Sequence, residues 1–181
     1  GFGETGQEAF KFLYEFSAFI DKDKNRIPFK CYAVDENIGK IAGLIRGRMP
    51  AIGADELELV QASVDSDDFW KLLGNIVDKL NYVVIAMNND NQGLALAVNS
   101  YSYALQHRPK GLPSLKIMVR CYDSSNERRM TEITTSLNDS VECDAVEMLL
   151  FGMQKDIYNC GLVLSDSIMC DAMEFNAAYE N

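Results

Sequence analysis

The sequence has no long hydrophobic run and almost no histidine. Its longest uncharged apolar stretches, residues 82–87 and 93–98, are far shorter than the roughly 18 residues that a membrane-spanning helix needs. Histidine occurs once in 181 residues. We therefore expect no direct membrane insertion, and histidine-rich metal sites are excluded.

Positive charge is also scarce. The chain carries 17 lysines and arginines against 27 aspartates and glutamates, which gives a formal net charge of -10 and a pI near 4.5. Such a surface repels phosphate backbones and anionic lipid headgroups. Nucleic acid is therefore not expected as a partner.

Paired cysteines are missing as well. The five cysteines form an odd set without a CxxC motif, and an oxidising compartment usually leaves a cleaner pattern. We expect reduced thiols with packing roles in a cytoplasmic protein. The sequence also opens without a methionine or a signal peptide, which we interpret as an excerpt of a longer polypeptide. The cysteines are Cys31, Cys121, Cys143, Cys160 and Cys170.

Apolar residues, which make up 48% of the chain, alternate between helical spacing and short β-branched or aromatic runs. This alternation predicts an α/β fold: a doubly wound, mostly parallel sheet with helices on both faces. We expect one domain over residues 1–150 and an extension over 151–181 that ends in a helix near 168–179. Strands are expected at 29–35, 57–64, 81–87, 115–122 and 146–151, and helices at 5–20, 38–49, 66–80, 94–105 and 126–137.

A glycine fingerprint opens the chain and leads directly into the first amphipathic helix. Gly1, Gly3 and Gly6 form GxGxxG, with Glu4 and Thr5 between the last two glycines. The first glycine permits a tight turn, the second leaves room for a pyrophosphate, and the third allows close packing of helix and strand. Free backbone N–H groups at the helix start then bind the anion. The alternative is an ordinary glycine-rich turn.

A carboxylate follows at the end of the next predicted strand. Asp35 could accept both ribose hydroxyls of an adenosine, with Glu36 beside it. It lies 29 residues after Gly6 rather than about 20, and we assign the excess to a polar insertion over residues 21–28. The alternative is a solvated aspartate at a strand end. The fingerprint also needs a strand that feeds into it, so we expect the central strand of the sheet to precede Gly1.

The charge around Asp35 predicts which nucleotide binds. No lysine or arginine follows Asp35 until Lys40, so nothing nearby would offset the repulsion between this carboxylate and a 2′-phosphate. We therefore expect NAD(H), or ADP, ATP or AMP, rather than NADP.

These features together resemble the NAD-binding regulatory domains of bacterial potassium-uptake and potassium-channel systems, the TrkA N-terminal or regulator-of-K⁺-conductance (RCK) family. The resemblance covers roughly residues 1–150. It implies that Asp35 holds the adenosine ribose and that Asp65 lies near the adenine. It also implies that Met87 and Asn88 form the mouth of the cleft, with Arg120 at the end of a later strand. The matching pieces are GFGETG, AVD ending at 35, VD at 64–65, VVIAM ending at 87 with NND after it, and IMVRCYD over 117–123.

The sequence departs from this family before Asp65, where Ser63 and Val64 replace the usual glycine. It also lacks the motifs of common catalytic sites. There is no Tyr-x-x-x-Lys pair, no Gly-x-Ser-x-Gly elbow and no cysteine or histidine cluster spaced for zinc. His107 is expected to cap a helix terminus.

Three functions stay open at this point. The first is a nucleotide-sensing regulatory module that acts on other domains of the same polypeptide or on a membrane transporter. The second is the cofactor-binding domain of an NAD-dependent oxidoreductase whose substrate domain lies outside this stretch. The third is a degenerate domain that serves as a dimer scaffold. The resemblance, together with the apolar terminal helix and Tyr179, also predicts a homodimer.

Overall fold

A computed structural model describes residues 1–16, 24–25, 27–140 and 145–153, and within them helices and parallel strands alternate. The α/β fold that the sequence predicts is confirmed. The elements are α1 Glu4–Phe16, β1 Cys31–Asp35, α2 Ile38–Arg48, β2 Leu57–Gln61, α3 Asp67–Ile76, β3 Tyr82–Ile85, α4 Asp90–His107, β4 Leu115–Arg120, a 3-10 turn Ser124–Asn126, α5 Glu127–Asp139 and β5 Val146–Phe151.

Several predicted strands are longer than the observed ones. The expected strand 29–35 begins only at residue 31, 57–64 ends at 61, and 81–87 is reduced to 82–85. For β1 and β2 the reason is the register of pairing, because within the described residues these strands match residue for residue only from Cys31↔Leu57 to Asp35↔Gln61. Residues 17–20 of the first predicted helix and the whole predicted terminal helix lie outside the described residues.

The described strands form two parallel sheets rather than one. One sheet has the order β1-β2 and the other has the order β3-β4-β5. Gly1 lies between their carboxyl ends, because a Cβ placed on it would be 3.2 Å from Ala86 O and 3.5 Å from Asp35 Oδ2. The interruption of the sheet therefore coincides with the place at which the sequence predicts a strand ahead of Gly1. That strand itself stays a prediction.

The larger core surrounds the three-stranded sheet. Ile117 and Val119 of β4 and Met148 of β5 have no exposed surface, since α4 and α5 pack on this sheet. The helix α3 begins where the sequence predicts, with Ser66 as its N-cap accepting a hydrogen bond from the Phe69 amide. A smaller apolar cluster lies under α1 and α2.

Two buried charged side chains hold the loops at opposite edges of the larger sheet. At the carboxyl edge, the carboxylate of Asp90 accepts hydrogen bonds from the Tyr122 and Asp123 amides and from Asn126 Nδ2, at 2.8–3.1 Å. At the amino edge, Arg108 donates to three backbone carbonyls, and burial lowers the pKa of its guanidinium. These carbonyls belong to Val77, Leu80 and Pro113.

Candidate functional site

The glycine loop at residues 1–6 has the close contacts that the fingerprint requires. A Cβ on Gly6 would lie 2.3 Å from the Gly1 carbonyl oxygen, so only glycine allows α1 to pack this closely on the loop. Apart from its chain neighbours, no atom of the described residues lies within 4 Å of a Cβ placed on Gly3. The second glycine therefore faces open space, as a position beside a bound pyrophosphate must.

The loop is held in place by Phe2, whose side chain turns into the smaller core. Phe2 is 5% exposed, and its ring meets that of Phe10 edge-on with 5.8 Å between centroids. Its carbonyl accepts a hydrogen bond from Gln7 Nε2 at 3.1 Å. Sequence reasoning assigned no role to Phe2. The available signal was an aromatic residue between two glycines, because such a side chain can anchor a loop whose neighbours have none.

Helix α1 presents its first N–H groups beside the open space at Gly3. The Gly3 carbonyl accepts the Gln7 amide at 2.9 Å, which closes the first helical turn. The amides of Glu4, Thr5 and Gly6 precede this bond and have no intrahelical acceptor. The Glu4 side chain is exposed and negatively charged. It interacts favourably with the positive end of the helix and would compete with a bound anion for that position. Only its backbone N–H suits a phosphate.

Asp35 lies where the sequence predicts, at the last position of β1 and in direct contact with the glycine loop. Its Oδ2 accepts a hydrogen bond from the Phe2 amide at 2.8 Å, and its Oδ1 accepts one from the Asn37 amide at 2.8 Å. A carboxylate has about four acceptor positions, so the hydrogen bonds of the described residues leave two for hydroxyl donors. Glu36 lies next to it in an exposed turn.

The structure does not bring Asp65 into this group. The residue is exposed in the turn between β2 and α3, four positions beyond the end of β2. No hydrogen bond or ion pair within the described ranges joins it to Asp35 or to the glycine loop. The strand that the sequence predicts at 57–64 is too long, because β2 ends at Gln61, which pairs with the last residue of β1. A position of Asp65 near the adenine stays a prediction.

Met87, Asn88 and Arg120 lie together at the carboxyl edge of the larger sheet. Arg120 is the last residue of β4 and donates from Nη1 to Asn88 Oδ1 at 3.2 Å. Its guanidinium also stacks over the Tyr122 ring at 4.7 Å. Met87 is half-buried against the core directly after Ala86, whose carbonyl lies beside Gly1. A cationic group thus stands on the same edge as the glycine loop.

The one histidine lies far from this edge. His107 is in the last turn of α4, with its Nδ1 2.9 Å from the Tyr103 carbonyl and its ring stacked on that tyrosine at 4.0 Å. Helix α4 begins at the carboxyl edge and runs back, so His107 is at the amino edge. This position agrees with the predicted role at a helix terminus.

Neither described cysteine has the features of a reactive thiol. Burial raises the pKa of Cys31 to about 12, with Lys30 opposing the shift, and Cys121 is buried. Cys143, Cys160 and Cys170 lie outside the described residues. Within the described ranges, no three histidine, cysteine, aspartate or glutamate side chains are grouped closely enough to hold a metal ion.

Comparison with known proteins identifies no similar protein. The chain matches no family model, and no curated protein or solved structure shows significant similarity to it. Among the described helices, none has both the length and the apolar character needed to cross a membrane.

Proposed function

We propose that this chain binds NAD(H) or a plain adenine nucleotide at the carboxyl edge of its sheets and serves as a regulatory, nucleotide-sensing module of the TrkA N-terminal type. The observation that carries the proposal is the contact between Asp35 and the glycine loop. The hydrogen bond from the Phe2 amide brings a carboxylate for a ribose and a glycine turn for a pyrophosphate to one place.

The residues present fit such a ligand. The open space at Gly3 has room for a phosphate beside the first amides of α1, where the helix end favours negative charge. Asp35 keeps acceptor positions for ribose hydroxyls after its two backbone hydrogen bonds. Arg120, held by Asn88, offers a positive charge on the same edge of the larger sheet. The nucleotide would supply the signal, and the chain would supply recognition.

A regulatory role is favoured by the position of the glycine loop between the two sheets. Gly1 lies beside Ala86 after β3, while Phe2 is bonded to Asp35 at the end of β1. A ligand on this loop would therefore contact both halves of the domain. Regulation requires that the ligand bind one arrangement of the halves more tightly than another. The change in the arrangement of the two halves would then act on attached domains of the polypeptide or on a membrane transporter.

The proposal is tested with the full-length polypeptide that contains these residues. NADH is titrated by its fluorescence, and ADP, ATP and AMP are added as competitors. Hydrogen exchange with and without NADH then shows which segments respond, and we expect slower exchange in both Cys31–Asp35 and Tyr82–Ile85. Absence of binding by every nucleotide would contradict the proposal. Hydride transfer by the full-length polypeptide would instead support the oxidoreductase alternative.

A further inference from the structure

An apolar cavity of about 360 Å³ separates the two sheets. Consecutive residues of both facing strands line it, 31–34 from β1 and 82–85 from β3. Consecutive residues of a strand point to opposite faces, so the cavity meets the edges of these strands rather than one face of a sheet. Side chains of α1, α3 and α4 also line it, among them Phe10, Leu13, Leu72, Leu73, Ile76 and Leu96.

The backbone of β1 directs hydrogen-bonding groups into this cavity. The Cys31 amide donates to Glu56 O at 2.8 Å, on the side of β2. In a parallel ladder, alternate residues bond to opposite neighbours, so Ala33 also faces β2. The N–H and C=O groups of Tyr32 and Val34 consequently point towards the cavity.

The backbone of β3 does the same from the other side. The carbonyl of Asn81 accepts the Lys116 amide at 3.0 Å, which directs odd-numbered residues of this segment to β4. The N–H and C=O groups of Tyr82 and Val84 point towards the cavity. Among the strands that the structure describes, neither of these two edges has a partner, and they face each other across an apolar space. Such edges are templates for another strand.

A buried hydroxyl provides a second, independent observation. Ser100 of α4 lines the cavity and is 2% exposed, and its Oγ has no hydrogen-bond partner among the described residues. Buried polar atoms in folded proteins are nearly always paired. The unpaired Ser100 hydroxyl therefore indicates that a further group occupies this cavity in the folded protein.

We propose that this cavity is occupied by an extended, apolar segment of the same polypeptide that directly precedes Gly1. This segment pairs in parallel with both β1 and β3. Gly1 lies at the carboxyl ends of these strands, beside Asp35 and Ala86. A segment that runs through the cavity in their direction would therefore emerge at Gly1 and continue into α1. The result is one six-stranded parallel sheet in which the crossover through α1 joins neighbouring strands. This inference does not depend on nucleotide binding.

Hydrogen exchange measured by NMR tests the proposal on two chains, the polypeptide with its natural residues ahead of Gly1 and the chain that starts at Gly1. In the longer chain, the amides of Tyr32, Val34, Tyr82 and Val84 should exchange as slowly as those of Ala33 and Val83. In the shorter chain, the same four should exchange roughly 100-fold faster. Fast exchange of these four in the longer chain would overturn the proposal. Equal protection in both chains would assign the cavity to residues 154–181 or, if it depends on concentration, to a second copy.

A substitution in the longer chain gives a test that does not require the shorter chain to fold. Ser100→Phe adds a ring that points into the cavity, and Ser100→Ala is its control. If a strand occupies the cavity, the ring overpacks the site and the melting temperature should fall by several degrees, with little change for Ser100→Ala. If the cavity is empty, the ring fills it and the melting temperature rises. A rise would overturn the proposal.

Discussion

The carboxylate of Asp35 accepts a hydrogen bond from the backbone amide of Phe2 at 2.8 Å, across 33 positions of sequence. This contact joins the end of β1 to the glycine loop. The buried Phe2 ring fixes the loop from below, while Gly3 leaves its outer side open. Phe2 and Asp35 hold the loop in position, whereas Gly3 leaves space beside it. Substitutions that disturb the loop's position should therefore affect folding, and substitutions at Gly3 should affect ligand binding.

Gly3→Val should abolish nucleotide binding and leave the fold intact. Within the described part of the chain, the new side chain meets no atom beyond its neighbours in sequence, but it would occupy the space proposed for a phosphate. Gly6→Ala is the informative partner, since its Cβ would lie 2.3 Å from a backbone oxygen and should destabilise the fold directly. NADH titration and urea unfolding of both variants measure the two effects. Undiminished binding by Gly3→Val would show that no ligand approaches this glycine.

Asp90→Ala should destabilise the protein by about 2 to 4 kcal/mol, because it removes a buried carboxylate that accepts hydrogen bonds from two amides and one side chain of the following loop. Asp90→Asn should cost less, since one acceptor oxygen is kept. The free energy of unfolding from urea titration measures both. The control Asp139→Asn replaces an exposed aspartate and should have little effect. A small effect of Asp90→Ala would mean that these donors find other partners.

Arg108→Met should destabilise the protein by about 2 to 4 kcal/mol, because three backbone carbonyls lose their hydrogen-bond donor. Arg108 is 8% exposed, so water does not readily replace its guanidinium. Arg128→Met, at an exposed site paired with Glu132, is the matched control and should leave the unfolding curve nearly unchanged. Equal effects of the two variants would show that Arg108 does not tie these loops together.

Cys31 should not react with thiol reagents in the native protein. With a pKa of about 12, its thiolate fraction at pH 8 is on the order of one in ten thousand. A thiol count with a disulfide reagent at pH 8 should therefore be the same for Cys31→Ser and the unsubstituted protein under native conditions. After unfolding, the variant should show one thiol fewer. If Cys31→Ser lowers the thiol count of the native protein by one, the Cys31 thiol is reactive and the prediction is wrong.

The order of elements could be predicted from sequence because it depends on local periodicity. The strand 146–151 and the helix from residue 38 agree with the structure, although Gly39, Gly43 and Gly47 weaken the helical signal. The position of Asp35 beside the glycine loop could be predicted for a different reason. The fold requires that a strand end and the loop meet there.

The structural roles of Asp90 and Arg108 could not be predicted. Asp90 is bonded to residues more than 30 positions away, and two of the three acceptors of Arg108 lie 28 and 31 positions away. Such contacts depend on which loops the packed sheet brings together, and local patterns do not contain that information. The same limit explains why the strand predicted at 57–64 ends early, since the end of β2 depends on the length of its partner.

The most direct test of the central claim is calorimetric titration of the full-length polypeptide with NAD, NADH and NADP. Asp35 should accept the ribose hydroxyls of NAD and repel the 2′-phosphate of NADP, so NADP should bind at least about tenfold more weakly. Asp35→Ala should weaken NADH binding by roughly 1 to 3 kcal/mol, whereas Asp68→Asn, an exposed site on α3, should not change it. Equal or tighter binding of NADP, or unchanged NADH affinity in Asp35→Ala, would contradict the account.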